Sequence, residues 1–187
     1  MAKYAVVETT NLRAVHFAER IMDCVSTEDI ENGTLGHFEK LADGYTHVYE
    51  FVKGVKAGFP VVIVNTPAWS EDECRWSNQR RDQFINPAGT PFRAFVLHDG
   101  DEFGITIEGI TAETRDTVTG VTDFAKNDVF VTVDDSGKLK ASATATADAI
   151  MEGRIERKRK IGATLVTAAR DYGYANDMYE VRVKALA

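Results

Sequence analysis

FRAFVLHDGDEFGITIEGI, residues 92–110, is the stretch on which the fold class turns. Phe92 to His98 is a short apolar run, Asp99-Gly100 is a turn pair, and Phe103 to Ile110 is a second run rich in Ile. Glycine supplies the positive φ that tight two-residue turns demand, so Asp-Gly between two such runs predicts a β-hairpin. Working outward, the pattern recurs. Val129 to Val133 and Lys138 to Ala143 flank Asp134-Asp135-Ser136-Gly137, and Asn32-Gly33 precedes Thr34 to Phe38. Thr46 to Val52 alternates in polarity. Pro60 to Asn65 is continuously apolar, as expected of a strand buried on both faces. Tyr4 to Thr9, Ile150 to Ile161, Thr164 to Ala168 and Met178 to Lys184 complete the predicted strands. Val, Ile and Thr together number 47 against 7 Leu, a balance that favours pleated strands over helices.

One helix is expected, over 70–84. Ser70 and Glu73 have capping-box spacing, Glu71 and Asp72 add negative charge to the first turn, and Arg80 and Arg81 lie near the other end. Trp69 can staple against Cys74, and Asn86-Pro87 marks the stop. Leu12 to Cys24 reads equally as helix or strand. The expected fold is therefore a β-rich α+β protein, with antiparallel sheets or a barrel and one main helix around 70–84. Residues 1–149 form the body. Residues 150–187 form a basic C-terminal β-segment expected to pack on the same domain.

A chain of 187 residues can bury a substantial core without disulfide or metal staples. No apolar run is long enough to cross a bilayer, and no secretory signal pattern opens the chain. The net charge of −7 disfavours nucleic acid as the main partner. The charge is uneven: residues 150–187 carry 8 Lys and Arg against 5 Asp and Glu, leaving 14 against 24 for residues 1–149. A basic segment on an acidic body either docks on that body or meets an acidic partner.

Chemical motifs are sparse. His16, His37, His47 and His98 lack metal-ligand spacing, no glycine pattern cradles a phosphate, and no cofactor is expected. Cys24 and Cys74 read as free thiols. Cys74 with His98 and Asp101 could compose a nucleophile, base and orienter, but a stapling contact is the simpler role for Cys74. The carboxylate groups Glu71-Asp72-Glu73, Asp99-Asp101-Glu102 and Asp134-Asp135 fall at a helix start or in turns, where acidity has a structural reason. No catalytic residue is expected.

RIERKRK, residues 154–160, is the most unusual local feature. Strand alternation puts Arg154, Glu156, Lys158 and Lys160 on one face, and Ile155, Arg157, Arg159 and Ile161 on the other. Charge on an edge strand blocks edge-to-edge pairing; it can also meet an acidic surface. The candidate partner interface is Arg154, Arg157, Lys158, Arg159 and Lys160, joined by Trp69 and Trp76, which share a helix face and either fill a core or anchor a partner.

KYAVVETTNL (Lys3 to Leu12), IENGTLGHF (Ile30 to Phe38) and VVIVNTPAWSEDEC (Val61 to Cys74) together resemble small structural proteins of tailed bacteriophages, the head decoration or auxiliary capsid proteins. The resemblance is clearest over residues 3–110. It implies a non-enzymatic virion protein, assembled in the host cytoplasm, that binds the major capsid protein on the outside of the head and reinforces it. A homo-oligomer is compatible with this; a nucleic acid or membrane partner is not expected. The alternatives are another phage structural part (tail tube, head completion or fibre base) or, further off, a ligand-binding barrel or enzyme.

Overall fold

A computed structural model describes residues 3–17, 20–67, 81–161 and 176–186. The chain is β-rich and builds two main sheets. A closed barrel is formed by β2 (Ile21–Val25), β5 (Val48–Lys53), β4 (Leu35–Leu41), β6 (Val62–Val64) and β8 (Phe92–Val96), in that order. A six-stranded sheet runs β1 (Val7–Asn11), β9 (Glu102–Thr106), β13 (Asn176–Leu186), β12 (Met151–Ile161), β10 (Phe130–Val133) and β11 (Leu139–Ser142). Every pair in it is antiparallel. In the barrel only β2 and β5 run parallel. A small pair, β3 (Ile30–Glu31) with β7 (Ile85–Asn86), lies beside them.

The centre of the continuously apolar run, Val61 to Val64, is buried as expected, whereas the strand itself is shorter than Pro60 to Asn65 and Pro60 is exposed. Val62 and Val64 point into the barrel, among Cys24, Phe51, Phe92 and Ala94. Val61 and Ile63 join the larger core between barrel and sheet, with Leu35, Phe95, Phe103, Ile105, Tyr179 and Val181. Strand β6 is therefore buried on both faces because the barrel wall is itself covered by the sheet. Each fully buried Val or Ile contributes about 1.5–3 kcal/mol of transfer free energy.

Two expected hairpins are not hairpins. Asp99-Gly100 makes the anticipated turn, with Gly100 at φ 85° and the Asp101 amide donating to the His98 carbonyl at 3.0 Å. Yet β8 belongs to the barrel and β9 to the sheet, so this turn carries the chain between them. Buried Asp101 fixes the crossover: its carboxylate accepts the His98 amide at 2.9 Å and the Arg13 amide at 3.1 Å. Asn32-Gly33 likewise links β3 to β4 in different sheets. Asp134 to Gly137 does connect the paired strands β10 and β11. Its tip also docks on the barrel, where the Leu35 amide donates to the Gly137 carbonyl at 2.8 Å. A Cβ at position 137 would lie 2.4 Å from the Leu35 carbonyl oxygen, so glycine is required there.

Other boundaries shift. Leu12–Cys24 is neither one helix nor one strand: the helix α1 (Arg13–His16) and strand β2 share it. The run from Phe103 ends as strand at Thr106 and turns through a 3-10 segment, Ile107–Gly109, which folds Gly109 back onto the Ile105 side chain, where a Cβ would lie 2.3 Å from Cδ1. Residues 70–80 of the expected helix, and Thr164 to Ala168, lie outside the described residues. Residues 81–83 form a turn; the Tyr4 amide donates to the Asp82 carbonyl there at 2.8 Å. Strands β12 and β13 sit between β9 and β10, so the described C-terminal residues share the sheet and core of the body.

Candidate partner interface

Strand β12 pairs with β13 along its whole length, from Met151↔Leu186 to Ile161↔Asn176. On its other side β10 reaches only Gly153 and Arg154, with one further bond from the Ile155 amide to the Val129 carbonyl at 2.9 Å. Residues 156–161 therefore have a strand on one side only, among the described residues.

A β-bulge changes the faces read from strict alternation. Ile155 pairs with Val181, but Arg157 pairs with Glu180, so Glu156 is the extra residue. An extra residue reverses the side-chain parity beyond it. Ile155 and Lys158 consequently share the face of Val181 and Tyr179, while Arg154, Arg157 and Arg159 share the opposite face with Arg182, Glu180 and Met178. The expected grouping of Arg157 with Ile155 is corrected by that one residue.

On the outer face the charges form a chain. Arg81 lies 3.6 Å from Glu8, Glu8 pairs with Arg159, Arg159 Nε donates to Glu180 at 2.6 Å, and Glu180 pairs with Arg157. Arg159 spans from β12 to β1 across β13 and Gly104 of β9. A Cβ at Gly104 would sit 2.5 Å from Met178 Sδ and 3.7 Å from Arg159 Nη2. Arg154 and Arg182 are directly opposite one another and turn apart, Arg154 to Asp128 at 2.9 Å and Arg182 to Glu102. On the other face Lys158 reaches Asp177 at 2.7 Å and lies 5.6 Å from the Tyr179 ring centroid. Lys160 is exposed and, of the five candidate cations, the one without an ion pair among the described residues.

Titration follows these contacts. Partial burial pushes Glu180 up, but the hydrogen bonds from Arg157 and Arg159 outweigh it and hold its carboxyl below the usual range. The bond to Asp177 raises Lys158, and the bond to Glu8 leads the rise at Arg159. The carboxylates Glu8, Asp177 and Glu180 were not among the expected interface residues. The signal for Asp177 and Glu180 lay in the alternation of Asp177, Tyr179, Val181 and Val183 against Met178, Glu180 and Arg182 in the partner strand; Glu8 carried none.

The remaining candidates separate. Trp69, Trp76 and Cys74 lie outside the described residues. Cys24 is buried in the barrel, and burial followed by the adjacent Asp23 carboxylate pushes its thiol up to about 12. A thiol so held is a poor nucleophile. His37 donates from Nδ1 to the Gly54 carbonyl at 2.8 Å, and His98 lies beside Arg20 and Asp101. Among the described residues no group of His, Cys, Asp and Glu is arranged to hold a metal ion, and no helix is long and apolar enough to cross a membrane. A cavity of about 340 Å³ where β1 meets the barrel is lined by Val6, Asn32, Asn65, Thr66, Arg81 and Arg93 among others. Asn32 and Asn65 are both occupied there with neighbouring backbone and Thr9.

No protein-family model matches the chain, and neither a curated protein nor a solved structure matches it.

Proposed function

We propose that the chain is a non-enzymatic structural protein of a bacteriophage virion, which attaches to the outer surface of the capsid, binds the major capsid protein and stabilises the shell. The observation that carries this reading is the contrast between a closed interior and a charged strand segment that has no second strand neighbour among the described residues. The barrel is closed, and the outer strands of the sheet are met by other parts of the chain. The Arg81 guanidinium donates to the Val7 carbonyl at 2.7 Å on β1. The Thr111 amide donates to the Leu139 carbonyl at 2.8 Å on β11. Residues 156–161 project beyond this, as a surface for attachment to a larger body would. The resemblance of Lys3 to Leu12, Ile30 to Phe38 and Val61 to Cys74 to head decoration proteins supports the same reading. Many modest contacts repeated around a shell would add up to strong reinforcement.

The test is stoichiometry and rebinding. Quantitative gel densitometry of purified particles carrying this chain should give on the order of hundreds of copies per head, as a lattice-wide partner requires. Heads stripped of the chain should rebind it and regain resistance to heat. A few copies per particle, or recovery in the tail fraction, would transfer the protein to a connector or tail role.

A further inference from the structure

The geometry points to the free edge of β12, residues 156–161, as a docking site for an extended acidic segment of a partner, added as a further strand. This deepens the capsid-surface reading by naming the chemistry of what is bound, but it stands on β12 itself.

Three observations lead there. First, past Ile155 the β10-side edge of β12 has no strand neighbour among the described residues. Pairing with β10 stops at Arg154, and Ile155 makes the last bond on that side. An unpaired strand edge presents a row of amides and carbonyls that another strand can complete. Secondly, the segment stays extended and in register with β13 through Ile161, so its edge groups are already arrayed for a partner. Thirdly, both faces of that edge carry cations: Arg157 and Arg159 on one, Lys158 and Lys160 on the other. Internal pairing does not exhaust them. Among the described residues Lys160 is free of ion pairs, and the Arg157 side chain, 68% exposed, is engaged through its Nε by Glu180. A guanidinium has further donors to offer.

The same charges decide what cannot dock. Two copies of β12 paired antiparallel would set Arg157 to Lys160 against their counterparts, and like charges directly opposite destabilise a strand pair. A second copy of this chain is thus disfavoured at this edge, and a strand bearing carboxylates is favoured. Backbone pairing supplies the attachment, and the cations select the sign of the partner.

The probe is a short acetylated peptide alternating Glu and Thr, titrated into the full-length protein and followed by fluorescence anisotropy and amide hydrogen exchange. Binding should slow exchange at edge-facing amides of residues 156–161 and leave residues 151–155 unchanged. Methylating alternate peptide nitrogens should abolish binding, because it removes the donors a new strand needs. Lys160→Glu should weaken binding about threefold, the worth of one exposed charge pair, with an unchanged melting curve. A matching Lys-Thr peptide should not bind. Equal binding of the methylated peptide, protection elsewhere, or equal binding of the basic peptide would each overturn the inference. Because no particle is involved, a protein that binds the acidic strand but ignores heads would refute the virion reading and leave this one standing.

Discussion

The two halves of β12 share a strand and a partner, yet they behave as different kinds of surface. Met151, Gly153 and Ile155 are buried against the core, and at Gly153 to Ile155 the strand bonds to neighbours on both sides. Past Glu156, Arg157, Lys158 and Lys160 are exposed, and β13 is the strand neighbour that remains among the described residues. One inserted residue separates them. The bulge at Glu156 coincides with the end of β10 pairing and moves the arginines to the face where Glu180 and Glu8 wait. A single strand can thus be core at one end and interface at the other, provided that a bulge resets its faces between.

The sharpest way to break this comparison is to cut the buried half. Ile155→Ala should cost about 2–5 kcal/mol in chemical denaturation, since Ile155 is fully buried in the main core. A loss no greater than that of a surface substitution would mean the near half is not core. Next in size is Gly104→Ala, which drives a methyl into the buried Met178 side chain. Overpacking of this kind costs about 1–3 kcal/mol, and denaturation of the same protein measures it.

A smaller effect is expected at the ion chain. Glu180 is held below the usual carboxylate range by Arg157 and Arg159. A depressed native value gives stability that is complete above the unfolded pKa, about 4.3, and is lost as pH falls through the native one. Glu180→Gln should therefore melt earlier than the natural protein at pH 7. The gap should begin to close below about pH 4.3. A gap independent of pH would show that the charge of Glu180 does not contribute. Arg157→Gln with Arg159→Gln should also melt earlier, because both residues serve the protein's own sheet as well as any partner. The smallest change belongs to Lys160→Glu, within about 0.5 kcal/mol of the natural protein, as for an exposed site with no ion pair among the described residues.

How much was legible in advance follows from the physics of each signal. Within the run from Pro60 to Asn65, burial on both faces was told correctly for Val61 to Val64, because a short apolar run of β-branched residues fits a strand covered on both sides, while Pro60 itself is exposed. Asp99-Gly100 and Asn32-Gly33 told of turns but not of destinations. A turn signal is local, whereas the sheet that a following strand joins is chosen by distant partners such as Val7 and Val181 for β9. At the candidate interface the cations of residues 154–160 were visible, and so was the choice between self-docking and an acidic partner. Their grouping was not, since a bulge is set by pairing with β13 and leaves no mark in the alternation of β12 itself. The pairing of Arg159 with Glu8 was beyond reach because 151 positions separate the two and the β13 and β9 strands between them bring them together.

The central claim, that the far half of β12 is an edge completed by an external partner, is most directly tested by amide hydrogen exchange on the whole protein, free and bound to stripped heads. In the free protein residues 153–155 should exchange slowly, while the edge-facing amides of 156–161 exchange fast. On heads the second group should become as protected as the first. Exchange at 156–161 that is already slow in the free protein, or still fast on fully occupied heads, would contradict the account.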